Sequence, residues 1–276
     1  FDFIFYLILI LRRLFNSEVS LIFKDNKIGI FLSKTFLRGI KFNNVITISQ
    51  SMVSIFRGID SSCSIFDVQH GIIYPNKLNY LEHRIPSDTL KNNCVNILLA
   101  GGAYQELLIR NDSTSFFKNY SFVVGSHIHS SDIRHCTFNK NILVTLQFTQ
   151  DHTYDENTLI LESLIKMISH LNVENSFYLK LHPRYKNAIN LDKLFRLDNV
   201  YVAPNDLKEC FDICSLHISA YSTCIFEAAL IGIPTIIVNP IERFNYFQNY
   251  FKYPLEYEVQ QFSVDSFYVD QAKIVQ

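Results

Sequence analysis

The chain has 276 residues, a formal net charge of −1 and a hydrophobic share of 48%, with 24 Phe and 15 Tyr. That composition excludes a disordered chain, and the length suits two domains better than one core. Balanced charge without a basic stripe interleaved with aromatics also excludes a nucleic-acid partner.

The charge is unevenly spread: residues 1–140 carry 15 Lys/Arg and 10 Asp/Glu, whereas residues 141–276 carry 10 and 16. A basic first half permits an anionic partner or a peripheral membrane contact. The chain opens at Phe1 rather than Met, so residues are expected upstream of it. The apolar run Phe3–Leu11 precedes Arg12-Arg13. It is too short to span a bilayer, and its charges stand on the wrong side for a signal peptide, so a buried strand or helix is expected. The six cysteines form no CxxC pair. Cys94, Cys214 and Cys224 read as small buried hydrophobes in a reducing cytoplasm, while Cys63 and Cys136 stay open as reactive thiols.

In chain order the pattern predicts strands over Ser20–Phe23, Lys27–Leu32, Asn44–Ile48, Cys63–Val68, Val95–Leu99 and Ser121–Val124. The polar stretch Ser126–Asn141 then marks a boundary, giving domains 1–138 and 139–276. Beyond it the predicted strands are Ile142–Leu146, Ser176–Leu181, Val200–Val202, Leu216–Ser219 and Thr235–Val238. Helices are predicted at Tyr104–Arg110, Glu156–Leu171, Leu191–Leu197, Leu207–Cys214 and Ser222–Ile231, the last capped by Gly232 and stopped by Pro234. This alternation makes an α/β protein: two doubly wound, Rossmann-like domains facing each other across a cleft.

Three motifs sit where strands end. Asp67-Val-Gln69-His70-Gly71 runs a strand into a glycine turn, which suits His70 to act as a general base with Asp67 in reserve. Lys180-Leu-His182-Pro183-Arg184 ends a second strand, because Pro183 cannot continue a central one. An imidazole at that rim with Arg184 beside it suits a phosphate leaving group. In Tyr221-Ser222-Thr223, the two hydroxyls are expected to cap a helix and leave backbone N–H groups for phosphate. Glu227 falls on the same helix face as Thr223 and is placed to accept ribose hydroxyls; on an otherwise apolar helix, its charge needs a partner.

Together with the strand end Ala100-Gly101-Gly102, these motifs resemble the GT-B glycosyltransferases of bacterial surface-polysaccharide synthesis. That group includes capsule and lipopolysaccharide Kdo transferases, bacterial sialyl- and polysialyltransferases, and CDP-glycerol glycerophosphotransferases. The resemblance covers roughly Cys63 to Asn239, and it implies a GT-B fold. It implies a donor site of Lys180, His182, Pro183, Arg184, Tyr221, Ser222, Thr223 and Glu227, in which His182, Ser222 and Thr223 bind the donor phosphate and Glu227 the ribose. Gln69, His70, Gly71, Gly101 and Gly102 then lie on the acceptor side. It implies a nucleotide-sugar donor, CMP- or CDP-linked by preference, and a glycan or lipid-linked acceptor at the inner face of the membrane. Thr223 stands where a second serine is common, and the N-terminal domain is short for the fold.

No Asp-x-Asp motif occurs, so no cofactor or divalent metal is expected, and inversion at the anomeric carbon follows from direct displacement. His127, His129, His135 and Cys136 match no zinc spacing and read as an interdomain loop. The aromatic stretch Arg243–Tyr268 reads as a lipid contact or as a helix packed back on the first domain. Two other functions compete: a non-hydrolysing UDP-sugar 2-epimerase, which would carry Ser-Gly-Gly and paired glutamates at Tyr221–Glu227, and a non-catalytic binding remnant.

Overall fold

A computed structural model describes residues 2–15, 19–125, 138–149, 152–171, 174–183, 185, 189–238, 240–241 and 245. The chain divides into two units, Phe1–Ser126 and His127–Gln276.

The first unit opens with helices α1 (Asp2–Leu14) and α2 (Leu21–Thr35), then strand β1 (Asn44–Thr47), helix α3 (Val53–Ile59) and strand β2 (Ser64–Val68). A two-stranded antiparallel pair, β3 (Leu81–Glu82) and β4 (Ile85–Pro86), leads into α4 (Asp88–Asn92). Strand β5 (Asn96–Leu99), helices α5 (Gly102–Asn111) and α6 (Phe116–Tyr120), and strand β6 (Ser121–Val123) complete it. The sheet is parallel, in the order β1-β2-β5-β6.

The predicted strands at 20–23 and 27–32 are corrected: both lie in α2 or at its cap. Ser20 caps that helix, its Oγ accepting from the Phe23 N–H at 3.3 Å. The buried positions Asp25, Ile28, Gly29 and Leu32 form a helical stripe, not an alternating one. Ile8 of α1 packs on Ile28, Leu32 and Ile55, which settles the apolar opening run as a helix. The opposite side of α1 exposes Phe3, Tyr6, Ile10 and Leu14. No described helix is long and apolar enough to cross a membrane. The buried carboxylate of Asp25 is held by Arg12 through two bonds of 2.7 Å, so its charge is matched within the helical layer.

The second unit contains β7 (Asn141–Leu146), α7 (Tyr154–Leu171), β8 (Ser176–Leu181), α8 (Asp192–Phe195) and β9 (Val200–Val202). It continues with α9 (Leu207–Ile213), β10 (Leu216–Ser219), α10 (Cys224–Leu230) and β11 (Thr235–Ile237). Its five strands are all parallel, in the order β11-β10-β7-β8-β9. On one face Ile142 and Val144 pack with Ile160, Leu164 and Ile168 of α7. On the other, Leu143 meets Cys210 and Phe211 of α9 and Ala228 of α10. Burial on both faces explains why Ile142-Leu143-Val144 reads as an apolar run without alternation. A Thr153–Glu156 capping box starts α7, with Thr153 N–H on Glu156 Oε2 at 2.8 Å and Glu156 N–H on Thr153 Oγ1 at 3.3 Å.

Gly232 ends α10 with φ +87°, its N–H on Ala229 O at 3.1 Å while Ile233 N–H reaches Ala228 O at 2.8 Å. That is the paired closure of a Schellman motif, and it needs a residue at positive φ. Among the described cysteines there is no disulfide, and Cys94 is exposed rather than buried. Burial raises the Cys63 thiol, which makes it inert rather than reactive.

Candidate functional site

The carboxyl edge of the second sheet carries His182 and the Tyr221-Ser222-Thr223 turn, which the sequence predicts on the donor side. Register pairs Ser219 with Thr145 and Leu181 with Leu146, so β10 and β8 end level with β7, one on each side of it. Tyr221 and His182 therefore leave the same edge from strands about 10 Å apart, two interstrand spacings. His182 is half-buried, and its carbonyl accepts from Tyr185 N–H at 2.8 Å, closing the turn that exposed Pro183 begins. Ser222 Oγ accepts from the Cys224 N–H at 3.2 Å, whereas the Thr223 hydroxyl makes no capping bond. Capping by both hydroxyls is thus corrected to capping by Ser222. Half-buried Glu227 lies one turn inside α10, its N–H on Thr223 O at 3.3 Å. At seven residues α10 has only a weak dipole, so what this end of the helix offers a ligand is its hydroxyls and individual N–H groups.

Lys180 is committed elsewhere. Its Nζ donates to the carbonyls of Pro204 and Asn205 in the turn after β9, which uses two of its three N–H bonds inside the fold. Arg184 lies outside the described residues, as do His127, His129, His135, Cys136 and the aromatic residues Phe244, Tyr246, Phe247, Tyr250, Phe251 and Tyr253.

Two histidines that the sequence reading passed over belong to this unit. His152 follows β7, is 9% exposed, and meets the Tyr221 ring edge-on with centroids 4.6 Å apart. Its Nδ1 stands 3.9 Å from Glu156 Oε2 of the capping box. His217, fully buried in β10, spans three strands: Nε2 to Thr145 Oγ1 and Nδ1 to Thr235 Oγ1, both at 2.9 Å. Thr145 Oγ1 also bonds Ser219 Oγ at 2.8 Å, so a threonine hydroxyl meets each imidazole nitrogen, donating to one and accepting from the other. Burial pushes the imidazole pKa down to about 3, keeping it neutral.

In the first unit, Asp67 is 1% exposed and accepts from Thr47 Oγ1 at 2.7 Å and from the Gln50 side chain. Burial raises its carboxyl, partly offset by those bonds and by His70. This burial leaves the Asp67 carboxylate almost no direct access from solvent. His70 next to it is exposed. Gln69 is a strut: Nε2 donates to Gly71 O at 2.9 Å, and Oε1 accepts from Ala100 N–H at 3.0 Å, joining the ends of β2 and β5. Gly71 has φ +72°, a backbone conformation that favours glycine. Gly101 and Gly102 open α5 into unfilled space, since a Cβ on either would meet nothing within 4 Å. Tyr80 and Tyr104, buried behind this edge, are both pushed far up by burial, and Tyr104 also bonds the Gln69 side chain. Among the described residues no group of three His, Cys, Asp or Glu is placed to hold a metal ion.

No protein-family model and no curated protein matches the sequence. Solved structures do match. A protein described as a UDP-N-acetylglucosamine 2-epimerase from Listeria monocytogenes aligns over 95% of this chain and 76% of its own, at 8% identity and a TM-score of 0.56. A variant of the wall teichoic acid polymerase TagF aligns over 84% of this chain at 12% identity and a TM-score of 0.50. S. aureus MnaA, solved with UDP, aligns over 82% of this chain and 67% of its own, at 11% identity and a TM-score of 0.51. The fold is of the GT-B type. The chain spans 66% of the TagF structure, and identities this low speak for fold alone.

Proposed function

We propose that this chain is a glycosyltransferase that moves a sugar from a nucleotide-activated donor, CMP- or CDP-linked by preference, to a surface-polysaccharide or lipid-linked acceptor. One observation carries the reading. His182 and the Tyr221-Ser222-Thr223 turn leave one carboxyl edge on either side of β7, with Glu227 one turn behind, in a unit of the GT-B type. The His182 imidazole and the hydroxyls and N–H groups at Ser222 and Thr223 take the donor phosphates, and Glu227 takes the ribose hydroxyls. These donors stabilise the departing phosphate without a divalent metal. The transition state is oxocarbenium-like, and exposed His70 takes the proton of the attacking acceptor hydroxyl, giving inversion.

The second reading is the UDP-sugar 2-epimerase, since one aligned structure of the same fold is described as such an enzyme. Incubation with CMP-, CDP- and UDP-linked sugars, with and without glycan acceptors, separates the two. Transfer releases nucleotide only when acceptor is present, and His70→Ala slows it by about 10²–10⁴-fold. Interconversion of UDP-sugars without nucleotide release would establish the epimerase instead. No turnover of any donor by folded protein would remove both.

A further inference from the structure

The first unit contains a cavity of about 300 Å³ that the transferase reading does not use. It is lined by seven uncharged polar side chains, Ser49, Gln50, Ser51, Ser54, Asn79, Ser87 and Thr89, with Leu21, Ile22 and Leu78 as its apolar part. Among the described residues the only ionisable lining group is Asp25, and its charge is matched by the two bonds from Arg12. Among the described lining residues no cation faces the space to attract a phosphate or carboxylate, and no uncompensated anion attracts a cation.

Several lining groups keep hydrogen-bonding capacity. Ser54 Oγ accepts from Asn93 Nδ2 at 3.0 Å and has its own proton to give. Ser87 Oγ donates to Asn79 O at 3.0 Å and keeps its lone pairs. Exposed Leu21 and Leu78 offer apolar contact for the C–H groups of a polyol or sugar ring. The volume lies at the small end of ligand pockets, which run from about 300 to 1,000 Å³, so it suits one ring rather than a chain. Gln50 links the cavity to the reaction edge: it lines the space and its side chain bonds the Asp67 carboxylate, beside His70.

We propose that this cavity binds a neutral polyhydroxylated unit, a single sugar ring or short polyol of the acceptor. The assignment of that ligand to the acceptor rests on the transferase reading; the neutral-sugar site itself rests on the cavity. The test is saturation-transfer NMR on the full chain with N-acetylglucosamine, glucose and glycerol as probes, and glucuronate and glycerol 3-phosphate as charged controls. Two variants of different chemistry are run alongside. Asn79→Leu with Thr89→Leu removes polar groups, and Ser51→Phe fills the space; melting curves confirm that each is folded.

The expected result is saturable binding of at least one neutral probe, weakened about tenfold or more in both variants, with the charged controls binding less well. Melting shifts with nucleotides should be unchanged in the same variants. Absence of saturable neutral-probe binding overturns the proposal, as does binding that survives both variants or that favours the charged controls. If the nucleotide shift is present in those cases, the transferase reading stands and only the cavity assignment falls. If nucleotides give no shift yet neutral probes bind and the variants abolish it, the transferase reading falls and the site remains.

Discussion

Gly29→Ala and Gly58→Ala should each destabilise the first unit by about 1 kcal/mol or more. At Gly29 an added Cβ would stand 2.1 Å from Ile55 O and 2.8 Å from Gly58 Cα. At Gly58 it would stand 2.2 Å from Asn26 O. These obstacles are backbone atoms, so no rotamer change relieves them, and α2 and α3 must separate. Alanine gains about 1 kcal/mol in helix propensity over glycine, while overpacking costs about 1–3 kcal/mol and more against rigid neighbours. Overpacking therefore wins. Gly102→Ala is the control, because a Cβ there meets nothing within 4 Å, and it should stay within about 0.5 kcal/mol of the parent. Urea unfolding midpoints read the difference. Parental stability in Gly29→Ala would show that the two helices do not cross at these glycines.

Acid should weaken the second unit through His217. In the folded chain this imidazole has a pKa pushed down to about 3, against an ordinary value near 6.5. Between those values the unfolded chain binds a proton that the folded chain refuses, so stability rises with pH across the window. The contribution is complete above pH 6.5 and is lost as pH falls toward 3, at up to about 1.4 kcal/mol per unit. Urea unfolding at pH 7, 6, 5 and 4 should show this slope in the parent. His217→Gln keeps an amide donor and acceptor but cannot titrate. It should lose about 1–3 kcal/mol at pH 7 through imperfect bonding to Thr145 and Thr235, and its profile should be flatter. Parallel profiles for the two proteins would contradict a neutral buried His217.

The parallel strands of both units were legible because their apolar runs are short and bounded, as in Ser64–Val68 and Asn141–Leu146. The helix Leu21–Thr35 was not. Its Lys27-Ile28-Gly29-Ile30 segment alternates locally like a strand, and the charge of Asp25 interrupts the apolar stripe on the buried face. That charge is matched by Arg12, thirteen positions upstream, so the pairing has no local signal. The candidate site shows the same limit. The strand ends at His182 and Tyr221 could be read from Pro183 and from the polar turn after Ser219. What occupies Lys180, Gln69 and Asp67 could not, because Asn205, Ala100 and Thr47 come from neighbouring strands or their loops. His217 likewise looks like an intruder in an apolar run until the register sets Thr145 and Thr235 beside it.

A melting-temperature titration with CMP, CDP, UMP, UDP and GDP, on the parent, His182→Ala and Glu227→Ala, addresses the donor site directly. Binding to the folded state alone stabilises by mass action, about 2.7 kcal/mol at a hundredfold excess over Kd. A donor site at the edge of β8 and β10 predicts a saturable shift with a cytidine nucleotide in the parent and its loss in both variants. A folded parent that shifts with none of the five, or variants that shift as the parent does, would contradict it.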